Sequence, residues 1–362
     1  MTLIKVKSRG TDNVSGRKNI VINGDMRIAQ RGTAAVTTGG SFTVDRWKNI
    51  SNASDFSAQQ SSVVPSGQGF YKSIHITPTS TKSPGSGTYF FTSHYIEGFN
   101  IGQLDWGTSG ARTVTLSFFV RSSKTGIYTV GLKNANATRS RQQEYTISSA
   151  DTWEKKTITI TGETSGSWPI DNTRGLALDF CLAGNASATS TLGSWISANS
   201  NMSTNQVNFF DSTSANWYMT GVQLELGTQA TDFEHRSHGE ELTLCQRYFQ
   251  QFAGDTGVGS AYTGIAVGHR SSNTRTFFYK QLPVQMRAAP TLTLSGTTGM
   301  RVANMVAGTN ATSSLAFGNR EMGTVSGYFR LDHSSISGSA GDGCRLDRNN
   351  DTNAGISADS EL

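Results

Sequence analysis

Apolar and polar residues alternate with a period of two along most of this chain, the rhythm of strands with one face buried. From Thr113 to Arg121, Val114, Leu116, Phe118 and Val120 share one face, while Thr113, Thr115, Ser117, Phe119 and Arg121 share the other. Ile127 to Lys133 follows across a Lys124-Gly126 turn as a hairpin partner. Trp153 to Thr161 and Leu176 to Leu182 repeat the pattern, the second placing Leu176, Leu178, Phe180 and Leu182 together. Asn19 to Asn23 reads as a first strand turned at Asn23-Gly24, followed by a second near Met26 to Gln30 and an aromatic-rich one at Phe42 to Trp47, where Asp45 and Arg46 suggest an ion pair over the indole. Ser73 to Thr77 and Thr88 to Thr92 are short strands between Ser/Gly/Pro loops. From Trp217 to Leu226, Tyr218, Thr220, Val222, Leu224 and Leu226 alternate with Met219, Gly221, Gln223 and Glu225, which predicts the strand that closes a sheet.

The period changes once. Ser237 stands three residues before Glu240, the spacing of a capping box, and Leu242, Cys245, Phe249 and Phe252 then recur at three and four residues. This predicts one amphipathic helix, residues 237–253. A Gly-rich boundary follows, and then short strands at Gly264 to Gly268, Arg275 to Gln281, Thr291 to Ser295, Ser314 to Phe317 and Val325 to Asp332. About eight to ten strands fit before the helix, with no βαβ rhythm, so the predicted class is all-β: a jelly-roll β-sandwich over 19–236, the linking α-helix, and a small C-terminal β-domain over 254–362. No repeat, heptad or Gly-X-Y period occurs that would build a fibre shaft.

Composition agrees with this outline: 16% of the residues are charged, 35% are apolar, and Ser, Thr, Asn and Gly are abundant. Cys181, Cys245 and Cys344 are odd in number and widely spaced, which predicts buried free thiols. No apolar run approaches the roughly 20 residues needed to span a bilayer, and MTLIKVKSRG lacks the apolar core of a signal peptide, so the expectation is a soluble protein made in a cytoplasm, with no membrane insertion. The net charge of +5 is local: Lys5, Lys7, Arg9, Arg17, Lys18, Arg27 and Arg31 face only Asp12 and Asp25 in the first 31 residues. Residues 1–18 therefore read as a basic arm that docks on an acidic protein surface; without an aromatic before Phe42 they do not read as a nucleic-acid face.

Candidate chemistry is sparse. His235 and His238 lie among Glu234, Glu240 and Glu241, but match no HExxH spacing and suit a cap or hinge better than a metal. Asp347, Asn349, Asp351 and Asn353 have the spacing of a calcium loop, yet Thr352 stands where its glycine belongs and Ala358 where its glutamate belongs, so a polar loop is expected. No nucleophile elbow and no obvious carboxylate pair appears, which favours a protein without catalytic residues, metal or cofactor. Trp168 and Trp195, in Ser/Gly-rich loops, are candidates for stacking on sugar rings or for folding over a sandwich edge.

The segment TGVQLELGTQATDFEHRSHGEELTLCQRYF closely resembles tail-fibre and related virion proteins of bacteriophages, especially of marine and cyanobacterial phages. NIVINGDMRIAQRG, FTVDRW, TVTLSFFVRSSKTG and TWEKKTITITG agree in order, with weaker echoes in LPVQMRAAPTLTL and ISADSEL. The resemblance implies a virion structural protein assembled in the host cytoplasm. Its N-terminal arm, with Lys5, Lys7, Arg9, Arg17 and Lys18, would attach to other virion proteins, and its loops would contact a host surface glycan. It also implies a homotrimer, for which Leu242, Cys245, Phe249 and Phe252 supply the expected interface. The rival expectations are an architectural head fibre or tail adaptor without host binding, and a tailspike-like glycan depolymerase.

Overall fold

The computed structural model describes residues 17–52, 54–83, 89–184, 192–252, 262–312, 315–349 and 354–362. The chain divides into two compact units, Met1–Glu241 with Leu362, and Leu242–Glu361.

Unit 1 is a two-sheet antiparallel sandwich of jelly-roll type. Its strands are β1 (Phe42–Val44), β2 (Trp47–Ser51), β3 (Phe56–Ser61), β4 (Ser73–Pro78), β5 (Phe90–Glu97), β6 (Val114–Ser122), β7 (Gly126–Asn134), β8 (Ser140–Ile147), β9 (Glu154–Ile160), β10 (Arg174–Ala183), β11 (Trp195–Ile196) and β12 (Trp217–Leu226). One sheet runs β1-β2-β5-β10-β7-β8-β11, and the other runs β3-β4-β12-β6-β9. Successive strands cross repeatedly between them, as from β4 to β5, β5 to β6 and β8 to β9. The alternation on β6 and β10 dictates this packing, since Val114, Leu116, Phe118 and Val120 are fully buried, as are Leu176, Leu178, Phe180 and Leu182. Phe118 meets Phe180 across the core edge to face, with ring centroids 5.1 Å apart.

Two readings of this half need correction. The segment Asn19 to Gln30 is buried but irregular rather than two strands: Ile20 N donates to Leu224 O and Val222 N to Gly24 O, so it lines β12 without forming a ladder. Asp45 is engaged on the side of the N-terminal segment. Its carboxylate takes the amide of Gln30 at 3.0 Å and faces Arg31 at 3.7 Å, while Arg46 donates to the Tyr95 carbonyl. The Trp217–Leu226 strand is central, between β4 and β12's other neighbour β6, and not at an edge. A bulge between Thr220 and Gln223, where Gly221 has φ 64°, flips its parity, so Trp217 and Met219 face the core together with Val222 and Leu224.

Helix α1 (His238–Gln246) starts as its cap predicts, with Glu240 N donating to Ser237 Oγ at 3.2 Å. It ends earlier than expected. Phe249–Phe252 is strand β13, so the anticipated stripe of Leu242, Cys245, Phe249 and Phe252 is not one helix face. The boundary between the units falls inside α1, after Glu241.

Unit 2 adds β14 (Tyr262–Ser272), β15 (Arg275–Gln281), β16 (Thr291–Ser295), β17 (Met300–Asn304), β18 (Asn310–Ala311), β19 (Ala316–Met322), β20 (Ser326–Asp332), β21 (Gly343–Asn349) and β22 (Gly355–Asp359). A three-stranded sheet has the order β13-β22-β16, and a seven-stranded one the order β18-β17-β21-β14-β15-β20-β19. Phe278, Phe329, Leu331, Leu346, Leu292 and Ile356 form its own core. The short sheet brings the FQQF stretch that begins at Phe249 together with TLTL and the ISADSEL segment. No helix among the described residues is long and apolar enough to cross a membrane.

Candidate functional site

The face of the seven-stranded sheet in unit 1 that points away from the core carries a cleft. Strand β5 is apolar on both sides: Phe90 and Ile96 enter the core, while Phe91 and Tyr95 point outward. Neighbouring rows follow from the register. Tyr95 stands beside Ala177 and then Lys133; Ser93 stands beside Asp179 and then Gly131. The small Ala177 and Gly131 keep the floor low. The strap passes directly over Gly131, whose Cβ position lies 3.6 Å from the Asn201 Cα, in ordinary packing contact.

That strap, residues 199–206, is fastened over β7, β8 and β10. Gln142 Nε2 donates to Met202 O at 2.6 Å, Ser203 N to Thr129 Oγ1 at 3.1 Å, and Gln206 Nε2 to Cys181 O at 3.1 Å. Asn205 Nδ2 reaches Glu144 at 3.0 Å. The strap forms one wall; Ile50 and Tyr89 form the other, with Tyr89 stacked on Phe91 at 5.6 Å and 9° between planes. The open cleft has a volume of about 440 Å³, lined by both aromatic surface and the polar ends of Lys133, Asp179, Asn199, Ser200 and Asn201.

Its charges are fixed in place. Lys133 Nζ lies 2.6 Å from the Asp179 carboxylate, which also accepts from Ser93 Oγ at 2.7 Å, and Lys133 also donates to Asn201. The Arg174 guanidinium covers the Tyr95 ring at 4.8 Å. Burial raises the Tyr95 phenol above its ordinary value, and the nearby Asp179 charge adds to the rise. Cys181, on the same face as Asp179 but covered by the strap at Gln206, is buried and its thiol is pushed far up by desolvation, which disfavours the reactive thiolate. The arrangement offers ring faces, amides and one neutralised ion pair: the means to hold a polyhydroxylated ligand that also has apolar faces.

Sequence reasoning did not select these residues. Trp168 and Trp195 do come together, with Trp106, but neither lines the cleft. Trp168 is buried, its Nε1 donating to Ser165 O at 3.0 Å and its ring edge-on to Trp106 at 4.9 Å. Trp195 is half-buried, donates to Thr161 O at 2.9 Å and lies under Arg141. The signal for the cleft was the TYFFTSHYIE stretch, where aromatics occupy both parities of a strand although a core claims only one.

Lys5, Lys7 and Arg9 lie outside the described residues. Arg17 faces Glu240 at 3.3 Å, and Lys18 is tied to Glu234 through its amide and to Thr231 through Nζ, so both are met by unit 1 itself. Leu242 is half-buried, Cys245 and Phe249 are buried, and Phe252 packs on the core of unit 2. His235 belongs to a ring cluster with Phe70 and Phe233. Asp347 is a buried strand residue gripped by Arg301 at 3.1 Å and Arg345 at 2.5 Å, while Asp351 and Asn353 lie outside the described residues. No group of three or more potential metal-ligating His, Cys, Asp or Glu side chains occurs among the described residues.

No family model matches the chain, and no curated protein does. Among solved structures it is similar to the enzymatically active domain of bacteriophage CBA120 tailspike protein 4, at 12% identity and TM-score 0.31, covering 54% of this chain and 21% of the tailspike chain. A CBM4 structure aligns at 14% identity and TM-score 0.31, covering 57% of this chain and 99% of that one. A family 11 carbohydrate-binding module of a Clostridium thermocellum cellulase aligns at 14% identity and TM-score 0.26, covering 55% and 98%. Likenesses at this level carry no functional weight of their own.

Proposed function

We propose that this chain is a glycan-binding structural component of a bacteriophage virion, with the unit 1 cleft as its sugar site. The cleft carries the sugar half of this reading: Tyr89, Phe91 and Tyr95 beside Asn199, Asn201 and the Lys133–Asp179 pair offer apolar platforms and directional hydrogen bonds together. Sugars present both kinds of surface, and neither a metal nor an enclosed apolar cavity is needed to hold them. The virion half is supported by the resemblance of the TGVQLELG to CQRYF segment and its companions, as is attachment to other virion proteins through the N-terminal region. Binding rather than cleavage is supported by the lining residues, where Asp179 is the one carboxylate and is already paired; glycoside hydrolysis commonly uses two.

The test is titration of the full chain with host surface polysaccharide fragments. Tyr89 is partly exposed on the rim, so Tyr89→Ala leaves the core intact and is expected to weaken binding about threefold or more, as loss of an aromatic stacking surface does. Full affinity in both Tyr89→Ala and Asn201→Ala overturns the cleft as the site. Absence of any glycan affinity in the wild type favours the architectural reading.

A further inference from the structure

Lys133 meets a carboxylate and a carboxamide at once, and the strand register arranges this. On β10, Asp179 stands opposite Gly131 of β7, and Lys133 lies two residues further along the same face. Gly131 has no side chain to keep them apart, and Asn201 of the strap passes over it. Lys133 Nζ reaches Asp179 Oδ2 at 2.6 Å and also donates to Asn201 Oδ1, while Ser93 Oγ donates to Asp179 Oδ1 at 2.7 Å. The lysine and aspartate side chains are only 13% and 3% exposed, and the Phe91 ring lies 5.8 Å from Nζ. Asn201 is held from both sides. Ser200 N donates to Ser140 Oγ at 3.1 Å, and Met202 O accepts from Gln142 Nε2 at 2.6 Å.

We infer that Lys133 and Asn201 join in an intrachain amide, an isopeptide crosslink that ties the strap to β7. Amide exchange needs an amine nucleophile, a carboxamide whose carbonyl carbon it can reach, and a group that carries protons between the two nitrogens. All three touch here. Asp179 takes a proton from the Lys133 ammonium and frees the Nζ lone pair; away from water, an uncharged amine and acid escape the penalty of buried charge. Nζ attacks Asn201 Cγ and the new carbon–nitrogen bond forms. The proton on Asp179, and then a second from Nζ by the same route, pass to Nδ2, the bond from Cγ to Nδ2 breaks, and the nitrogen leaves as ammonium. One ammonium and one carboxamide thus become one secondary amide and free ammonium, with Asp179 a carboxylate again and no oxidant or cofactor consumed. Anchoring of both partners replaces a bimolecular encounter, an advantage equivalent to about 10⁵ M or more in well-oriented cases. The remaining N–H of Lys133 still faces Asp179, and the bond forms whether or not the cleft holds a ligand.

Mass spectrometry of the intact, denatured chain tests this. The wild-type chain is expected to be lighter than its sequence by one ammonia, and its tryptic digest to contain a branched peptide joining Lys133 to Asn201. Lys133→Arg and Asn201→Ala are each expected to restore the full mass. Asp179→Asn keeps the shape without the proton carrier and is expected to cut the crosslinked fraction about tenfold or more. Circular dichroism reports whether each variant is folded, and the wild-type digest decides the matter if one is not. A loss of ammonia that persists in Lys133→Arg is a cyclic imide at an asparagine, not a crosslink. That result, a wild-type chain without the branched peptide, or an undiminished crosslink in Asp179→Asn overturns the inference.

Discussion

Gly24 shows how little freedom the buried N-terminal segment has. A Cβ there would lie 2.1 Å from the Val222 carbonyl oxygen, a backbone atom whose own residue donates to Gly24 O. Gly24→Ala is therefore expected to cost about 1–3 kcal/mol, the range for forced overpacking, read as a lowered urea midpoint. His94 is a second constraint in the same region. It is buried beside the Trp47 ring at 5.1 Å, with Nε2 donating to Ile22 O at 2.9 Å and Arg46 and Arg236 nearby. Burial first, and then the Arg46 charge, hold its pKa well below the usual 6.5. A depressed folded-state value means that the unfolded chain takes the proton first. His94 thus contributes stability that is fully present above pH 6.5 and is lost as pH falls through the native value. His75 and His333 are lowered too and act in the same sense, whereas buried Glu241, raised by desolvation, acts in the opposite one. His94→Gln, which keeps a donor for Ile22, should flatten the loss of stability as pH falls below about 6.5; an unchanged slope would assign the acid sensitivity elsewhere.

At the level of elements, the strands with clean alternation, β6 and β10, were legible because one parity is wholly apolar. β3 and β8 were not, since FSAQQS and SRQQEYTI are polar on the side that segments outside the ladder cover: Gln60 donates to Met26 O, and Gln142 holds the strap. The cleft was hidden for the same reason, being made by register and by a strap far along the chain. On β12, the glycine that looks like one more alternating position is the bulge that reverses the parity. The helix start was readable from Ser237 alone, but its end was not, because Phe249 and Phe252 keep helical spacing while the β22 edge offers their backbone a ladder. Ser237→Ala removes the oxygen that accepts the Glu240 amide, and is expected to lower stability by about 1 kcal/mol in thermal or urea unfolding.

At the scale of the whole molecule, each unit has a separate apolar core, one built around Phe118, Phe180 and Trp217 and the other around Phe278, Phe329 and Leu331. Cooperativity in a globular chain follows the core, because side chains that share buried contacts lose them together. The two units are therefore expected to unfold as distinguishable transitions in calorimetry. Phe278 is fully buried and stacks on Phe329 at 5.5 Å, so Phe278→Ala removes a ring from the second core alone. Truncating a buried phenylalanine costs about 3–5 kcal/mol, a large fraction of what a unit of this size possesses. The transition of unit 2 should move down sharply or disappear, while that of unit 1 keeps its midpoint and the cleft keeps its ligand affinity. A single transition that shifts as a whole would show that the two cores unfold as one, and would tie glycan binding in the first unit to the integrity of the second.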